Sequence, residues 1–403
     1  MKGFRDFYPE DKRIQNWIFN TWKKIAEHYG YEEIEGPILE ETEIYSKSGQ
    51  EIPEQMYTFK DKSGKLITIR PETTPTIARM IKSKKELKLP IKWYSVSRCL
   101  RYERPQFGRS REFFQFNLDC LGSKNMSMDA EVITTSIKMM REFGLSKNDF
   151  YVRVSNRRLF NDLVNSIGID GKGIQKIARI LDKLCKFSDN EIEKELKKEK
   201  ISGDKIKKLF TFLNIKDLNK IKIKSQGLDE LKELFSYLKV YDIAKYCILD
   251  LSTMRGFDYY TGTVFEVSDK EKEFRAIAGG GRYDNLAGIP GVGYGMGDIV
   301  LELFLKKNKR IPNFSKNIDY YIAPVNKFVL KEAIKIAELL RRKYNIEIDL
   351  MCRNLRKQLN YASSINAREV IIIGEEELNK REVTIRDMVS GEEKKVKFVN
   401  LLR

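Results

Sequence analysis

Apolar residues recur at three- and four-residue steps near the start of the chain. Between Pro9 and Gly30 they form a single stripe that includes Trp17, Trp22 and Ile25. Proline suits the first turn of a helix, and glycine suits the residue that follows its last turn. We therefore predict one amphipathic helix here, packed through its apolar face against a larger layer.

Short runs of β-branched and aromatic residues, separated by turn residues, follow this helix. They indicate strands at residues 31–34, 56–59, 66–70, 93–101 and 113–121. Many strands accompanied by few helices favour an α+β domain, in which an antiparallel sheet is flanked by helices.

The pattern changes in the middle of the chain. Residues 166–239 are rich in Lys, Glu, Ile and Leu with helical spacing, and strand signals resume at residues 247–251. We therefore predict a helical insertion at residues 166–239, within a core domain formed by residues 1–165 and 240–310.

A third region begins after a basic, loop-like stretch. Residues 306–317, which include Pro312, predict a linker. Strand and helix patterns then alternate, beginning with the apolar run at residues 320–323. This alternation predicts a C-terminal α/β domain with a largely parallel sheet at residues 318–403.

The chain is strongly basic. Its 75 lysines and arginines outnumber 58 acidic residues and give a net charge of +17. This surplus fits a polyanionic partner such as nucleic acid. It also fits a Lys/Glu-rich surface suited to solubility or heat, and charge alone leaves both explanations open.

Cysteine usage and the N-terminus bear on location. The five cysteines show no paired spacing, which indicates neither a disulfide framework nor a zinc site. The N-terminus is charged where a signal peptide would be apolar, and no apolar run approaches the roughly 20 residues that span a bilayer. We expect a cytoplasmic protein with no membrane partner. Because His28 is the single histidine, mechanisms that need a catalytic histidine elsewhere are excluded.

Three segments carry candidate chemistry, and the first ends a predicted strand in a proline-bounded turn. Within residues 69–75, the carboxylate of Glu72 and the hydroxyls of Thr73 and Thr74 suit an ammonium group. The same residues also suit an ordinary helix start with either threonine as the cap. Both interpretations remain open for this segment.

The second segment is the loop before the last predicted strand of the first region. It is dense in guanidinium groups, which suit phosphates and nucleic-acid ends. Its candidate residues are Arg104, Gln106, Arg109 and Arg111. Alternation places Gln115, Asn117 and Asp119 on one face of the following strand. That face is either an ordinary solvated surface or a polar active site.

The third segment combines acids, tyrosines and glycines. Residues 254–266 carry an arginine, acids and a tyrosine pair, and residues 276–284 carry three successive glycines, an arginine and a tyrosine. This is more polar and aromatic chemistry than strand packing needs, which indicates a ligand pocket. A further glycine series at residues 291–297 permits close backbone approach, although simple turns also use glycine and no P-loop lysine follows.

Together these segments resemble the histidyl-tRNA synthetases, a family of class II aminoacyl-tRNA synthetases, over nearly the whole chain. Residues 100–106 resemble the family's motif 2, and residues 255–262 and 278–284 resemble its two histidine signatures. Residues 3–6 and 353–359 extend the resemblance to both ends. It implies an antiparallel catalytic sheet, an inserted helical domain, a C-terminal anticodon-binding domain and a homodimer.

The resemblance also implies a role for each candidate residue. L-Histidine would be held by Glu72, Thr74, Gln115, Asp119, Tyr259, Tyr260 and Tyr283. ATP would be bound by Arg101, Glu103, Arg109, Arg255, Gly280 and Gly281, of which Arg101 and Arg255 are also catalytic. The acceptor end of the histidine tRNA would meet Arg104, Gln106 and Arg111, and the anticodon would meet Arg353, Arg356, Lys357 and Gln358. Mg²⁺ would accompany ATP, and no metal site built from protein ligands is expected.

The implied reaction is ATP-dependent attachment of histidine to its tRNA through a histidyl-adenylate. Positioning and charge neutralisation suffice for it, so no protein base is required. A pocket that hydrogen-bonds both imidazole nitrogens would reject apolar isosteres strongly.

One position departs from the family pattern. Motif 3 normally carries an arginine against ATP, and Val300 stands where that arginine aligns. The apolar positions of residues 296–305 also suit a plain core helix. A non-catalytic, histidine-binding regulatory paralogue is the alternative function, but such paralogues usually lack the tRNA-binding domain or the signatures. A synthetase for glycine, threonine or proline would lack the two tyrosine-bearing signatures.

Overall fold

The computed structural model describes residues 1–46, 48, 51–84, 86–183, 188–254, 259–314 and 318–401. The chain divides into two compact units, Met1–Ile311 and Pro312–Arg403. None of the helices described is both long and apolar enough to cross a membrane.

The strands of the first unit range from two residues to ten. They are β1 (Glu32–Glu33), β2 (Leu39–Glu41), β3 (Tyr57–Lys60), β4 (Leu66–Ile69), β5 (Ile91–Leu100), β6 (Glu112–Leu121), β7 (Phe150–Asn156), β8 (Cys247–Leu249), β9 (Thr263–Asp269), β10 (Ala278–Leu286) and β11 (Ile289–Gly297). The five strands predicted before residue 122 are all present, with bounds shifted by at most two residues.

The helices of the first unit include the one predicted at its start. They are α1 (Pro9–His28), α2 (Glu51–Gln55), α3 (Thr74–Ser83), α4 (Met126–Glu142), α5 (Arg157–Ser166), α6 (Gly171–Lys183), α7 (Asp189–Lys198), α8 (Gly203–Leu213), α9 (Gln226–Val240) and α10 (Asp298–Lys307). Helix α1 buries Ile18, Trp22 and Ile25, and Gly30 follows it at a positive φ of 74°. The amphipathic helix is therefore confirmed.

The larger sheet contains eight of the described strands, in the order β1-β5-β6-β11-β10-β9-β7-β8. Its central strands pair antiparallel, as predicted. The outermost pairs, β1 with β5 and β7 with β8, are parallel. Strand β8 returns to the sheet after the helices that follow β7, and parallel pairing requires such a crossover. Strands β2, β4 and β3 form a separate small antiparallel sheet.

Strand β6 separates the core from a polar face of the sheet. Phe116 and Leu118 point into the main core, which also contains Trp22 of α1. The side chains that alternate with them, including Asn117 and Asp119, occupy the opposite face because side chains alternate along a strand. The polar residues of this strand are therefore displayed together above the sheet.

The described residues between β7 and β8 are helical. Helices α5 to α9 and two short 3₁₀ turns occupy this stretch. Leu228, Leu231 and Leu234 of α9 are buried in the same core as the large sheet. This helix is thus part of the structural support of the sheet.

The second unit is a mixed sheet with helices. Its elements are β12 (Ile318–Pro324), α11 (Leu330–Arg341), β13 (Ile346–Ile348), α12 (Leu355–Ser364), β14 (Ala367–Ile373), α13 (Glu375–Asn379), β15 (Glu382–Asp387), β16 (Glu393–Lys397) and α14 (Phe398–Leu401). Strands β13, β12 and β14 are parallel, and β15 and β16 extend the sheet antiparallel. The sequence did not predict this last hairpin because β16 is mostly charged and exposed.

Candidate functional site

The floor of the polar face is made of glycine. On β11, Gly293 pairs with Asp119 and Gly295 pairs with Asn117. A Cβ atom on Gly293 would overlap the Asp119 carboxylate, and one on Gly295 would overlap the Gln115 amide. The polar side chains of β6 therefore lie across the neighbouring strand in space that only glycine leaves open. The glycine series forms this floor and is not a turn.

The triple glycine on β10 has a related role. A Cβ on Gly280 would overlap the backbone oxygen of Gly293, and one on Gly281 would lie 2.9 Å from the Tyr260 ring. Both glycines thus allow close packing within the protein. Gly281 lies on the polar face, next to Tyr260, whereas Gly280 lies on the core side of β10, next to Tyr294.

The Gly293→Ala variant tests the glycine floor. We expect it to lower kcat/KM for the amino-acid substrate by about 10²-fold or more, because the added methyl group displaces a buried carboxylate. Gly288→Ala is the matched control for loss of a glycine. Gly288 lies on the turn between β10 and β11. Its Cβ would meet nothing within 4 Å, although its φ of 91° adds local strain. Equal activity of the two variants would contradict the floor.

Glu72 lies at the entrance to α3 with a carboxylate that is only half satisfied. The residue is 2% exposed, and Tyr259 donates a hydrogen bond to its Oε2 (3.1 Å). Its buried Oε1 has no hydrogen-bond partner among the described residues. Burial raises the pKa of Glu72, while the nearby Ser48 hydroxyl, Arg101 and Tyr259 oppose that shift. A buried acceptor left open in this way suits a ligand that carries hydrogen-bond donors.

A short network holds the side chains between Glu72 and the sheet. Gln115 Nε2 donates to Asn117 Oδ1 (2.6 Å), and Asn117 Nδ2 donates to Thr73 Oγ1 (2.9 Å). Thr73 is therefore engaged as an acceptor, and its side chain does not cap α3. Thr74 begins that helix and hydrogen-bonds Tyr259. Asn117 was not singled out as a site residue, and alternation along β6 was the signal that pointed to it.

Asp119 forms the other end of the pocket. It is 2% exposed and accepts a hydrogen bond from the Tyr283 hydroxyl (2.6 Å). Burial raises the pKa of Asp119 to about 7, opposed by this hydrogen bond and reinforced by Glu72. The rings of Tyr259 and Tyr260 pack edge to face with centroids 4.9 Å apart, and those of Tyr259 and Tyr283 are 6.3 Å apart. Contacts thus link two acids and three tyrosines into one cluster on the polar face, the candidate pocket.

Arg101 stands beside this pocket. Its Nε donates to the Pro71 carbonyl oxygen (3.0 Å), and its guanidinium lies 5.1 Å from the centre of the Phe113 ring. Within the described residues it forms no ion pair with a carboxylate. A positioned guanidinium of this kind suits an anionic substrate.

The arginine-rich loop closes as a tight hairpin. Gln106 and Arg109 exchange both backbone hydrogen bonds (3.1 and 2.9 Å), and Arg109 pairs with Glu103 at 2.5 Å. Arg104 and Gln106 are exposed, whereas Arg111 stacks on Tyr102 and donates to the Glu103 carbonyl oxygen. The loop therefore presents some of its candidate residues outward and uses others to hold its shape.

The N-terminal segment fastens the base of this loop. The Gly3 carbonyl oxygen accepts a hydrogen bond from the Ser110 hydroxyl (2.6 Å), and Arg5 pairs with Asp298 of α10 at 2.6 Å. Val300, two residues further along α10, is buried in the core. A Cβ on Gly108 would lie 3.4 Å from its Cγ2. Val300 thus supplies apolar packing next to the hairpin.

Arg282 belongs to a histidine signature but lies on the core side of the sheet. It is 2% exposed, and Asp129 of α4 is fully buried. Its Nε donates to Asp129 (3.0 Å), and its Nη1 donates to the Ser123 carbonyl oxygen (2.9 Å). The arginine therefore anchors β10 to α4 from the face opposite Tyr283. Sequence spacing could not reveal Asp129, which is 153 residues away from Arg282.

The candidate residues of the second unit divide into exposed and engaged ones. Arg356 and Lys357 are exposed in the first turn of α12. Arg353 bonds Asp349 (2.5 Å) and Tyr321 (3.0 Å). Gln358 is fully buried and donates to the carbonyl oxygens of Pro324 (2.9 Å) and Arg353 (2.6 Å).

Arg255, assigned to catalysis and to ATP, lies outside the described residues. The structure otherwise brings Glu72, Thr74, Gln115, Asp119, Tyr259, Tyr260 and Tyr283 together. An antiparallel sheet that carries this acidic pocket, with an arginine-rich hairpin at the end of β5 and with Arg101 forming no ion pair among the described residues, defines the catalytic domain of a class II aminoacyl-tRNA synthetase.

Comparisons with known proteins identify the family within this class. The histidyl-tRNA synthetase family model matches residues 3–295, and an anticodon-binding-domain model matches residues 319–403. Histidine–tRNA ligase from Thermoplasma volcanium is 37% identical over 421 residues, which cover 100% of this chain and 97% of that protein. The chloroplastic/mitochondrial histidine–tRNA ligase of Arabidopsis thaliana is 34% identical over 413 residues, covering 99% and 85% of the two chains.

A solved structure agrees in fold. The crystal structure of histidyl-tRNA synthetase from Nostoc sp. matches with a TM-score of 0.81 at 24% identity and covers 99% of this chain and 96% of that one. The chain belongs to the histidyl-tRNA synthetase family.

Proposed function

We propose that the protein is an active histidine–tRNA ligase, which joins histidine to tRNA through a histidyl-adenylate. The observation that carries this proposal is the pocket with Glu72 at one end and Asp119 at the other. Glu72 has a buried carboxylate oxygen without a partner among the described residues, and Asp119 is held by Tyr283. This spacing of acceptors suits an amino acid with an ammonium group and a polar ring.

Histidine would bind with its ammonium group at one end of this pocket. Glu72, Thr74 and Gln115 supply a carboxylate, a hydroxyl and an amide oxygen, all of which accept hydrogen bonds. Gln115 donates its Nε2 to Asn117, which leaves its oxygen for the ammonium group. The imidazole would lie between Asp119 and the three tyrosines, Tyr259, Tyr260 and Tyr283.

Activation would proceed by attack of the histidine carboxylate oxygen on the α-phosphorus of ATP. The bond from that phosphorus to the β-phosphate bridging oxygen breaks, and pyrophosphate leaves. Arg101 would neutralise charge on the α-phosphate, together with Arg255. The paired Glu103 and Arg109, with Gly280 and Gly281 nearby, would complete the nucleotide site. Fixed positive charge lowers the barrier without any proton transfer by the protein.

Mg²⁺ would enter with ATP. The described residues include no group of three or more His, Cys, Asp or Glu side chains that could hold a metal ion. Mg²⁺ is commonly held by one or two carboxylates together with substrate phosphates. Glu103, beside the proposed phosphate site, is the carboxylate that fits this arrangement, and the ion would shield the charge of the leaving pyrophosphate.

Transfer would follow when a terminal ribose hydroxyl of tRNA attacks the adenylate carbonyl carbon and AMP leaves. The exposed Arg104 and Gln106 on the hairpin, with Arg111 at its base, would position the acceptor end. In the second unit, we assign direct anticodon contact to Arg356 and Lys357, with Arg353 and Gln358 holding α12 in place.

Replacing both Arg356 and Lys357 by alanine tests the anticodon assignment. We expect KM for the tRNA to rise by about tenfold, since two phosphate or base contacts are lost. Pyrophosphate exchange without tRNA should stay unchanged. Alanine at Lys331 and Lys335 on α11 is the charge-matched control. An equal rise in KM from that pair would show that net charge, and not anticodon contact by Arg356 and Lys357, causes the effect.

We further propose the domain roles implied by the sequence. Residues 1–165 and 240–310 would form the catalytic core, and residues 318–403 would form the anticodon-binding domain. Residues 166–239 would clamp the tRNA acceptor arm. Deleting the insertion would remove buried leucines of α9, so charge reversal is the better test. Glutamate at Lys194 and Lys198 of α7 should raise KM for tRNA by about fivefold at physiological salt. An unchanged KM for tRNA would contradict the proposed clamp.

We also propose a cytoplasmic homodimer. Ile38, Leu39 and Phe59 are each 43–47% exposed on and beside the small sheet, where the strand register places Leu39 and Phe59 on one face. Grouped exposed apolar residues commonly mark protein interfaces. Sedimentation velocity of the Phe59→Asp variant tests the dimer, and imaging of a tagged chain tests the location. The dimer proposal fails if the wild-type protein sediments as a monomer.

Pyrophosphate exchange into ATP with histidine, glycine, threonine or proline, run without tRNA, tests the function itself. Exchange with histidine alone is the expected result. The alternative, a histidine-binding regulatory paralogue, would bind histidine and show no exchange. Its weakness is that both Arg101 and the anticodon-binding-domain match are retained.

A further inference from the structure

A groove of about 770 Å³ lies at the outer edge of the large sheet, away from the polar pocket. Cys247, Ile248 and Leu249, which are all the residues of β8, line it. Side chains alternate between the faces of a strand. A groove that contacts three successive residues therefore runs along the edge of β8 and not over one face.

The edge of β8 carries peptide groups that can accept another strand. It is the last strand of its sheet, and no described strand pairs with its outer side. The Asp250 amide donates to Val154 on β7 (2.9 Å). By alternation, Ile248 also directs its peptide groups to β7, while Cys247 and Leu249 direct theirs into the groove. Edge groups of this kind are a template for strand addition.

Helix α9 forms the opposite wall with one stripe of its surface. The stripe consists of Lys232, Phe235, Ser236 and Lys239, at three- and four-residue spacing. Phe235, half-buried, provides an apolar floor with Leu218. The adjacent stripe of α9 is buried in the core. The helix therefore has a second amphipathic surface that faces the groove.

The charge of the groove is positive. Lys232 and Lys239 form no ion pair among the described residues, and Lys216 reaches Asp250 only at 3.8 Å. Asp217 is the one acidic residue in the described lining. Lys239 lies seven residues beyond Lys232 along the helix, which corresponds to about 10 Å. That length is close to the roughly 10 Å of a three-residue strand.

We propose that this groove binds an extended acidic segment of another protein, which adds to β8 as a further strand. The backbone of the segment would pair with Cys247 and Leu249, its acidic side chains would meet the lysines at the two ends of the groove, and an apolar side chain would cover Phe235. The edge favours a peptide over nucleic acid because strand addition needs alternating amide donors and carbonyl acceptors. The inference does not depend on the proposed ligase activity.

The probe for this site is a fluorescein-labelled peptide of alternating valine and glutamate, added to the full-length protein. We expect saturable binding by fluorescence polarisation, together with slower amide hydrogen exchange at Cys247 and Leu249. Glutamate at both Lys232 and Lys239 should weaken binding by about tenfold or more. Glutamate at Lys207 and Lys208, exposed on α8 and outside the groove, is the matched control and should bind like wild type.

Three results would overturn the proposal. The first is no saturable binding to wild type. The second is an equal loss in the Lys207/Lys208 control, which would assign binding to the net charge of the protein. The third is displacement of the peptide by a single-stranded oligonucleotide whose own binding needs Lys232 and Lys239, which would assign the groove to nucleic acid. A peptide with proline at alternate positions should bind poorly, because proline cannot donate to the β8 edge.

Discussion

Replacing Arg101 by alanine should slow histidyl-adenylate formation by about 10²–10³-fold, the usual cost of removing one preorganised donor that stabilises transition-state charge. Arg101 has no carboxylate partner within the described part of the chain, so its positive charge is available to a phosphate. The measurement is single-turnover adenylate formation in rapid quench, with ATP and histidine both saturating. The loss should appear in the rate constant and not in histidine affinity.

Arg98, near the end of β5 and three residues before Arg101, supplies the matched control. Its guanidinium also lies over a phenylalanine ring, Phe114, at 4.8 Å, but it pairs with Glu112 at 3.0 Å. Arg98→Ala should retain adenylate formation within about threefold, because a half-exposed ion pair contributes little. If both variants lose activity equally, the loss comes from general disturbance of the sheet, and Arg101 has no special role at the phosphate.

The Asp119→Asn variant is expected to lose function and gain stability. Loss of the buried charge that we propose to face the imidazole should lower kcat/KM for histidine by about 10²–10³-fold. Burial raises the pKa of Asp119 to about 7, well above the roughly 3.9 of an unfolded aspartate. As pH rises from about 4 to 7, the unfolded chain releases this proton before the folded chain does. The folded state of the wild type therefore loses stability across that window.

Asparagine cannot ionise, so the variant escapes this loss. Its Tm should exceed that of wild type by several degrees at pH 8, with a smaller difference at pH 5, measured by calorimetry without ligands. Tyr283→Phe is the companion variant. It removes the hydrogen bond that opposes the rise, so it should extend the loss of stability to higher pH. A pH-independent difference between Asp119→Asn and wild type would contradict the linkage.

Much of the pocket was predictable because its residues follow local rules. Alternation along β6 placed Gln115, Asn117 and Asp119 on one face, and the structure confirms it. The proline-bounded turn at Glu72 was open to two interpretations, and α3 does begin there without a side-chain cap. The functional interpretation needed a partner from elsewhere in the chain, Tyr259, 187 residues away.

Long-range partners account for what the sequence could not give. Nothing near Arg282 in the sequence indicates that it points away from the pocket and pairs with Asp129. Alternation along β10 separates its two faces, but which face meets the core depends on the strand register, and that register is fixed only by tertiary pairing. The charged strand β16 was missed for a related reason. It is stabilised by pairing at the edge of an existing sheet and carries no apolar alternation that marks a strand.

The glycine floor also bears on how the pocket can evolve. Every other amino acid at position 293 would collide with Asp119, and every other one at position 295 would collide with Gln115. Single substitutions on β11 cannot narrow this pocket stepwise towards a smaller substrate, because the first step already displaces Asp119, the acid that we propose to bind the imidazole. A change in amino-acid specificity would require simultaneous substitutions on two strands. The glycines at positions 293 and 295 therefore help to preserve the amino acid that this enzyme assigns to its tRNA.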